Sequence, residues 1–398
     1  MLRITKQTFL LAGITALLAA CGTTAEPSAS APHLSAQGNT TSTTNIKMTT
    51  AETAGSFGAW ATGSFGVWAA GSFGAWASGS FGAWASGSFG VWATTFEDGT
   101  PNPLHNNVEE WNQIRLAGAH TLAPNLGKDV TVAVIDTGID LAHPALSGTL
   151  SPESTWWDYV SGDRNPGEMG TASDKAYGHG TAVAGIILQV APNARILPIR
   201  VLPPSGEGTS TTIAKAIIHA VDQGAKVVNV SVVADKDSDI SKAIEYAALR
   251  GVYVVMAAGN QGLNPVQFPA AKSAQTNTPG LYSLSVGGIE LNNRKSSYSN
   301  YGAGLEVMTP ASDIVTTYPK GEIRAVTGTS FATPVASGVL ALALGEGYSA
   351  DNAGELTEKL KLSEQNVDIE NHDLVLLMEK KALGFGLLNA EAFLKSIK

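Results

Sequence analysis

The sequence predicts an α/β fold, a mainly parallel sheet with helices on both faces, and two observations carry that expectation. From about Leu104 onward, short β-branched apolar segments alternate with helix-like segments, the pattern of strands joined by helical crossovers. The strand-like segments are apolar at nearly every position rather than at every second one, as strands buried on both faces must be.

The strands expected in order are residues 130–135 (VTVAVI), 194–202, 226–232 and 252–258. Helical patterns fill two of the gaps, at residues 211–223 before Gly224 and 240–250 before Gly251, where glycine is the usual residue just past a helix end. In such a sheet the active site lies at the carboxyl ends of the strands. Residues that do chemistry are therefore expected just after strands or at the openings of helices.

The chain has 398 residues, 44% hydrophobic and 15% charged, a balance that buries a large core and is far from the signature of disorder. The net charge of −9 and the lack of a Lys/Arg cluster exclude a nucleic-acid partner, which would need a concentrated basic face. Residues 1–21 read as an export signal, with basic Arg3 and Lys6, an apolar run from Phe9 to Ala20 and small residues before Cys21. That run is short for a bilayer span. The string LAAC, ending at Cys21, resembles the bacterial lipoprotein box, which implies a lipidated cysteine, an N-terminal membrane anchor and an exported protein at the cell envelope. The cysteine is the only one, so stability must come from the core or bound ions rather than from disulfides.

Residues 22–54 are rich in Thr, Ser, Ala and Asn and are expected to form a low-complexity tether. Residues 55–94 are five octapeptides of the form GSFG(A/V)WA plus a small residue, a repeat that must be set apart before fold is argued. Each copy supplies one Phe and one Trp, as in Phe57 and Trp60, among residues that suit neither a helix nor a dense core. Two readings stay open: a spacer whose aromatics touch one another or a membrane interface, or an adhesive array that stacks on cell-wall sugars or a partner.

Three motifs carry chemistry. Asp136 follows the first strand in VIDTGID, His179 sits between glycines in GHGTAVAGII, and Ser330 lies in GTSFATPVASG, a tight turn into a small-residue helix. Singly, these are a turn former, a helix opener and a helix cap. Pro334 is placed for a first helical turn, where proline is tolerated. In the order Asp, His, Ser, with strand, helix and helix contexts, they match the arrangement of subtilisin.

VIDTGID, GHGTAVAG, VNVSV, AAGN and GTSFATPVASG together resemble the signature segments of the subtilisin (S8) peptidase family. The resemblance spans residues 104–398, and GFGLLNAEAFL resembles the family's closing segment. It implies a three-layer fold of the family's type and a serine endopeptidase acting on protein or peptide substrates, with no cofactor required for the chemistry. Ser330 would attack the scissile carbonyl, His179 would relay its proton and Asp136 would hold the imidazolium. Asn260 would supply an oxyanion donor, with Thr329 either assisting it or simply shaping the turn.

The departures lie around substrate. The family's SLGG segment reads Ser231, Val232, Val233, Ala234 here; with Gly259 these are the expected substrate-binding residues, and lost glycines put side chains beside the substrate. Gln267 falls at the base of the P1 pocket, which suggests a preference for small or medium P1 side chains, and Glu207 flanks the channel. Phe331 stands where relatives usually carry Met after the nucleophile, which removes an oxidisable thioether. The calcium loop that many relatives insert after the His-bearing helix is expected to be missing, which leaves Asp140 without its usual ligand role. A different structural Ca2+ site is conceivable at Asp158, Asp163 and Asn165. Nothing before residue 104 resembles the compact prodomain of secreted relatives, and the rival reading is an adhesive lipoprotein built on an inactive peptidase fold.

Overall fold

The computed structural model describes residues 106–234, 238–273, 277–348, 355–373 and 382–398; the export signal, the tether and the repeats lie outside them. The first strand, β1 (Thr131–Asp136), is followed by β2 (Trp157–Asp158), β3 (Arg195–Arg200), β4 (Val227–Val230), β5 (Tyr253–Ala257), β6 (Ser283–Ile289) and β7 (Val307–Pro310). They form one sheet in the order β2-β3-β1-β4-β5-β6-β7, and every neighbouring pair is parallel. A separate antiparallel hairpin joins β8 (Ile314–Tyr318) to β9 (Glu322–Val326).

Helices α1 (Val108–Gln113) and α2 (Leu116–Leu122) precede the sheet. Helix α3 (His179–Val190) follows β2, α4 (Ser210–Asp222) follows β3, α5 (Ser238–Ala248) follows β4, and the short α6 (Thr278–Leu281) precedes β6. The chain closes with α7 (Thr329–Gly345), α8 (Glu355–Leu362) and α9 (Ala390–Ile397). The four strands and two helices expected from the sequence are thus present, with ends moved by one or two residues.

The two-faced burial follows from strand geometry, because successive side chains point to opposite faces. On β1, Val132 and Val134 join the core shared with α3 and α7, while Ala133 and Ile135 join the core shared with α4 and α5. On β5, Tyr253 and Val255 face the first core and Val254 and Met256 the second. The result is three layers. Thr209 caps α4 by accepting the Thr212 N–H on its hydroxyl at 3.1 Å.

The chain runs from β1 out to β2 and β3 on one side and returns to β4 on the other. The sheet's switch point therefore lies between β1 and β4, and a crevice opens outside their carboxyl ends. Asp136 ends β1 and Ser231 follows β4.

Candidate active site

Three backbone breaks bring the site together. Asp136 is fully buried at the end of β1, and its Oδ1 accepts the Thr137 N–H and the His179 Nδ1–H, each at 2.7 Å. His179 opens α3 directly after Gly178, whose φ of +81° favours glycine; a Cβ there would also strike the Tyr318 ring. With Nδ1 donating to the carboxylate, the neutral ring presents Nε2 as an acceptor. Burial alone would lower the pKa of His179, but the charge and hydrogen bond of Asp136 outweigh it and raise the pKa above its usual 6.5. That is the electrostatics a proton acceptor needs.

Ser330 is the second residue of α7. The first N–H groups of a helix have no acceptor within it, and here each is dealt with differently. The Thr329 N–H donates to Asn260 Oδ1 at 2.9 Å and the Phe331 N–H to the Gly328 carbonyl at 2.9 Å. The Ser330 N–H lies between them at the N-terminus of the helix, where the dipole favours negative charge. Asn260 accepts a second bond at Oδ1, from Thr329 Oγ1 at 2.9 Å. A backbone N–H can only donate, so the atom facing Thr329 is the oxygen and the donor end of the amide, Nδ2, is turned away from it. Thr329 is thus the residue that orients Asn260.

Pro334 is the sixth residue of α7 rather than part of its first turn, a correction to the sequence expectation. Proline has no N–H to give the carbonyl four residues back, which is that of Ser330. Ser231 Oγ supplies the missing donor at 2.8 Å. Asn229 Nδ2 in turn donates to Ser231 Oγ at 2.8 Å, and Ser337 Oγ donates to Asn229 Oδ1 at 2.9 Å. The Ser231 side chain is therefore turned under α7, and only its backbone faces the cleft. The Ser330 hydroxyl donates to the Ser231 carbonyl oxygen at 3.1 Å.

A cleft of about 360 Å3 is lined by His179, Ser330 and Asn260 together with Val232, Val233 and Gln267. Ala234, Gly259, Thr329 and Glu207 border the same space. Gly259 has φ +104° and a Cβ there would strike Gln267 Oε1, so the glycine lets Gln267 lie across the cleft floor. Gln267 Oε1 is buried with no hydrogen-bond partner. Phe331 is buried, its ring 5.1 Å from the His179 ring at 46°.

The expected cation loop is differently employed. Asp158, fully buried, forms an ion pair with Arg200 at 2.5 Å and accepts the Val160 N–H on Oδ1 at 2.8 Å. Asp163 and Asn165 are exposed and cap the backbone N–H groups of Asn165 and Gly167. A divalent ion shared by these three would have to sit against the guanidinium, so the donor set does not fit one. Asp140 Oδ2 accepts the Lys320 N–H at 2.7 Å and holds the β8–β9 turn.

The subtilase family model matches residues 127–371, well over half of the chain. The chain belongs to the subtilase family. Among its relatives, thermitase of Thermoactinomyces vulgaris is 34% identical over 264 residues, 64% of this chain and 88% of thermitase. Subtilisin Savinase of Lederbergia lenta is 34% identical over 281 residues, 67% of this chain and 91% of that protein. A solved cold-adapted subtilisin-like serine proteinase superposes with a TM-score of 0.54 at 28% identity, covering 66% of this chain and 89% of that one. This subtilase is a serine endopeptidase of the subtilisin type. Sequence reading missed Arg200 and Glu168, which sits behind Asp136 and His179. A charge inside the apolar segment RILPIRV was the signal for Arg200; Glu168 had none.

Proposed function

We propose that this subtilase cleaves internal peptide bonds through an acyl-enzyme on Ser330, with His179 as general base and Asp136 as the group that holds the imidazolium. The observation that carries this reading is the 2.7 Å bond between His179 Nδ1 and Asp136 Oδ1 in the cleft that Ser330 lines. Ser330 Oγ would attack the scissile carbonyl carbon while His179 Nε2 takes its proton. The oxyanion would be held by the Ser330 N–H and Asn260 Nδ2. Collapse passes the proton from Nε2 to the leaving amine and leaves an ester on Ser330. Water, deprotonated by the same nitrogen, then releases the acid.

Substrate backbone would run beside residues 231–234 and Gly259, with Gln267 narrowing the pocket to small or medium P1 side chains. The chemistry needs no metal in this scheme, and the Arg200 guanidinium takes the place of a structural cation. The export signal ending at Cys21 supports an exported enzyme held at the cell envelope by a lipid anchor, with residues 22–54 as tether and 55–94 as spacer or adhesive array.

Fluorophosphonate labelling tests the reaction. Label on the wild type and none on Ser330→Ala is expected; an unlabelled wild type would refute the scheme. For the anchor, Cys21→Ser is expected to abolish incorporation of labelled palmitate, and wild type that takes up none would refute lipidation. Deleting residues 55–94 without loss of envelope retention would discard the adhesive reading.

A further inference from the structure

We infer that Glu168 is a positioning residue for the hydrolytic pair, a second carboxyl that acts on His179 through Thr137 and the first turn of α3. Its backbone is fixed by strand-like pairing beyond the end of β1. The Ile139 N–H donates to the Pro166 carbonyl at 3.1 Å, and the Glu168 N–H donates to the Ile139 carbonyl at 3.0 Å. This places the side chain against both neighbours of the pair. Glu168 Oε2 accepts from Thr181 Oγ1 at 3.1 Å and from Thr137 Oγ1 at 3.5 Å. The carboxyl also accepts the Gly178 N–H.

These contacts converge on the residues that place the catalytic groups. Thr137 directly follows Asp136, and its Oγ1 accepts the Gly180 N–H at 3.1 Å. Gly178 and Thr181 are the cap and first turn of the helix that His179 opens. One carboxyl thus joins the strand that carries the acid to the helix that carries the base. No surface role explains it, because Glu168 Oε1 is buried without a hydrogen-bond partner. A charged carboxylate left so pays a desolvation penalty that a protonated one avoids.

The same burial makes the group titrate where a protease of this kind can work. Desolvation pushes Glu168 up to about 8, assisted by the charge of Asp136 and opposed by the Gly178 and Thr181 hydrogen bonds and by His179. The other groups acting on it are Asp136 from the end of β1, Tyr177 and His179 around the start of α3 and Tyr318 from the hairpin; Asp140, Glu322 and Arg324 act in turn on those tyrosines, and Arg200 of β3 donates to the Gly167 carbonyl. Tyr177 and Tyr318 are both raised above 10 by burial and stay neutral through this range. Below about pH 8 Glu168 is neutral and adds no charge behind the imidazole. Above it, the carboxylate raises the pKa of His179 and stabilises the imidazolium formed as Ser330 gives up its proton.

The inference rests on Ser330 and His179 being the hydrolytic pair, and the test separates the two. kcat/KM of the full chain is measured on a peptide p-nitroanilide from pH 5.5 to 10.5, for the wild type and Glu168→Gln, with fluorophosphonate labelling of both. The wild type is expected to rise in two steps, as His179 loses its proton and again near pH 8. The variant is expected to lack the second step, a loss of about threefold to tenfold in kcat at pH 9, up to one pK unit of coupling, with KM unchanged. A single step in the wild type, or superimposable profiles, would overturn the role of Glu168 while labelling persists. The wild-type profile decides even if the variant does not fold. Absence of label on the wild type would overturn the pair itself and this inference with it.

Discussion

Ser231 and Ser330 hold each other by side chain to backbone: Ser231 Oγ donates to the Ser330 carbonyl at 2.8 Å, and Ser330 Oγ donates to the Ser231 carbonyl at 3.1 Å. The first bond replaces the helical one that Pro334 cannot make, so the Ser330 peptide is anchored to the end of β4. Ser231→Ala should leave a buried carbonyl without a donor, at a cost of about 1–3 kcal/mol. We expect a lower Tm together with a reduced kcat. A lowered Tm with kcat intact would mean that the bond secures the helix but not the nucleophile.

Asn260→Ala should cost about 10²–10³ in kcat with little change in KM, a magnitude taken from subtilisin itself rather than from this geometry. Thr329→Val keeps the backbone donor to Asn260 and deletes only the hydroxyl, so its effect should be smaller. Steady-state kinetics of the two variants check the ranking, and a larger loss for the threonine variant would contradict it.

Gln267 is expected to set P1 preference. The wild type should cleave a peptide library after small and medium residues, and Gln267→Gly should admit Phe and Tyr. A dominant aromatic preference in the wild type would reject this assignment.

Phe331 places a ring without sulfur beside His179. Peroxide should inactivate this enzyme more slowly than Phe331→Met, whose thioether oxidises to a polar sulfoxide next to Ser330. Equal inactivation rates would count against it.

Chelator should leave Tm unchanged, whereas Arg200→Met should destabilise by about 3–5 kcal/mol, because it strands the Asp158 carboxylate in the core. Calorimetry with and without chelator distinguishes the two; a fall in Tm on chelation would reveal a stabilising ion.

What could be read in advance follows from where the determining forces are local. Strands β1, β3, β4 and β5 were legible because burial on both faces makes nearly every residue apolar. Strand β6 was not, since SLSVGGI places Ser283, Ser285, Gly287 and Gly288 in a fully buried strand, where small size rather than apolarity satisfies the packing. The β8–β9 hairpin escaped notice because β9 is largely exposed and shows no buried face to detect. The end of β1 at Asp136 and the helix starts at His179 and Ser330 were legible because each lies within two residues of a glycine-marked break. Glu168 lies in NPGEMG, and only tertiary pairing with Ile139 brings it behind the pair. The inward turn of Ser231 depended on Pro334, a residue about a hundred positions away.

The Arg200–Asp158 pair also changes how the fold depends on its medium. Stabilisation by a bound ion follows mass action and fades as the free ion falls below its dissociation constant. A guanidinium carried by the chain has no dissociation constant and is never diluted. The contribution of this pair therefore does not fade as free ions are depleted.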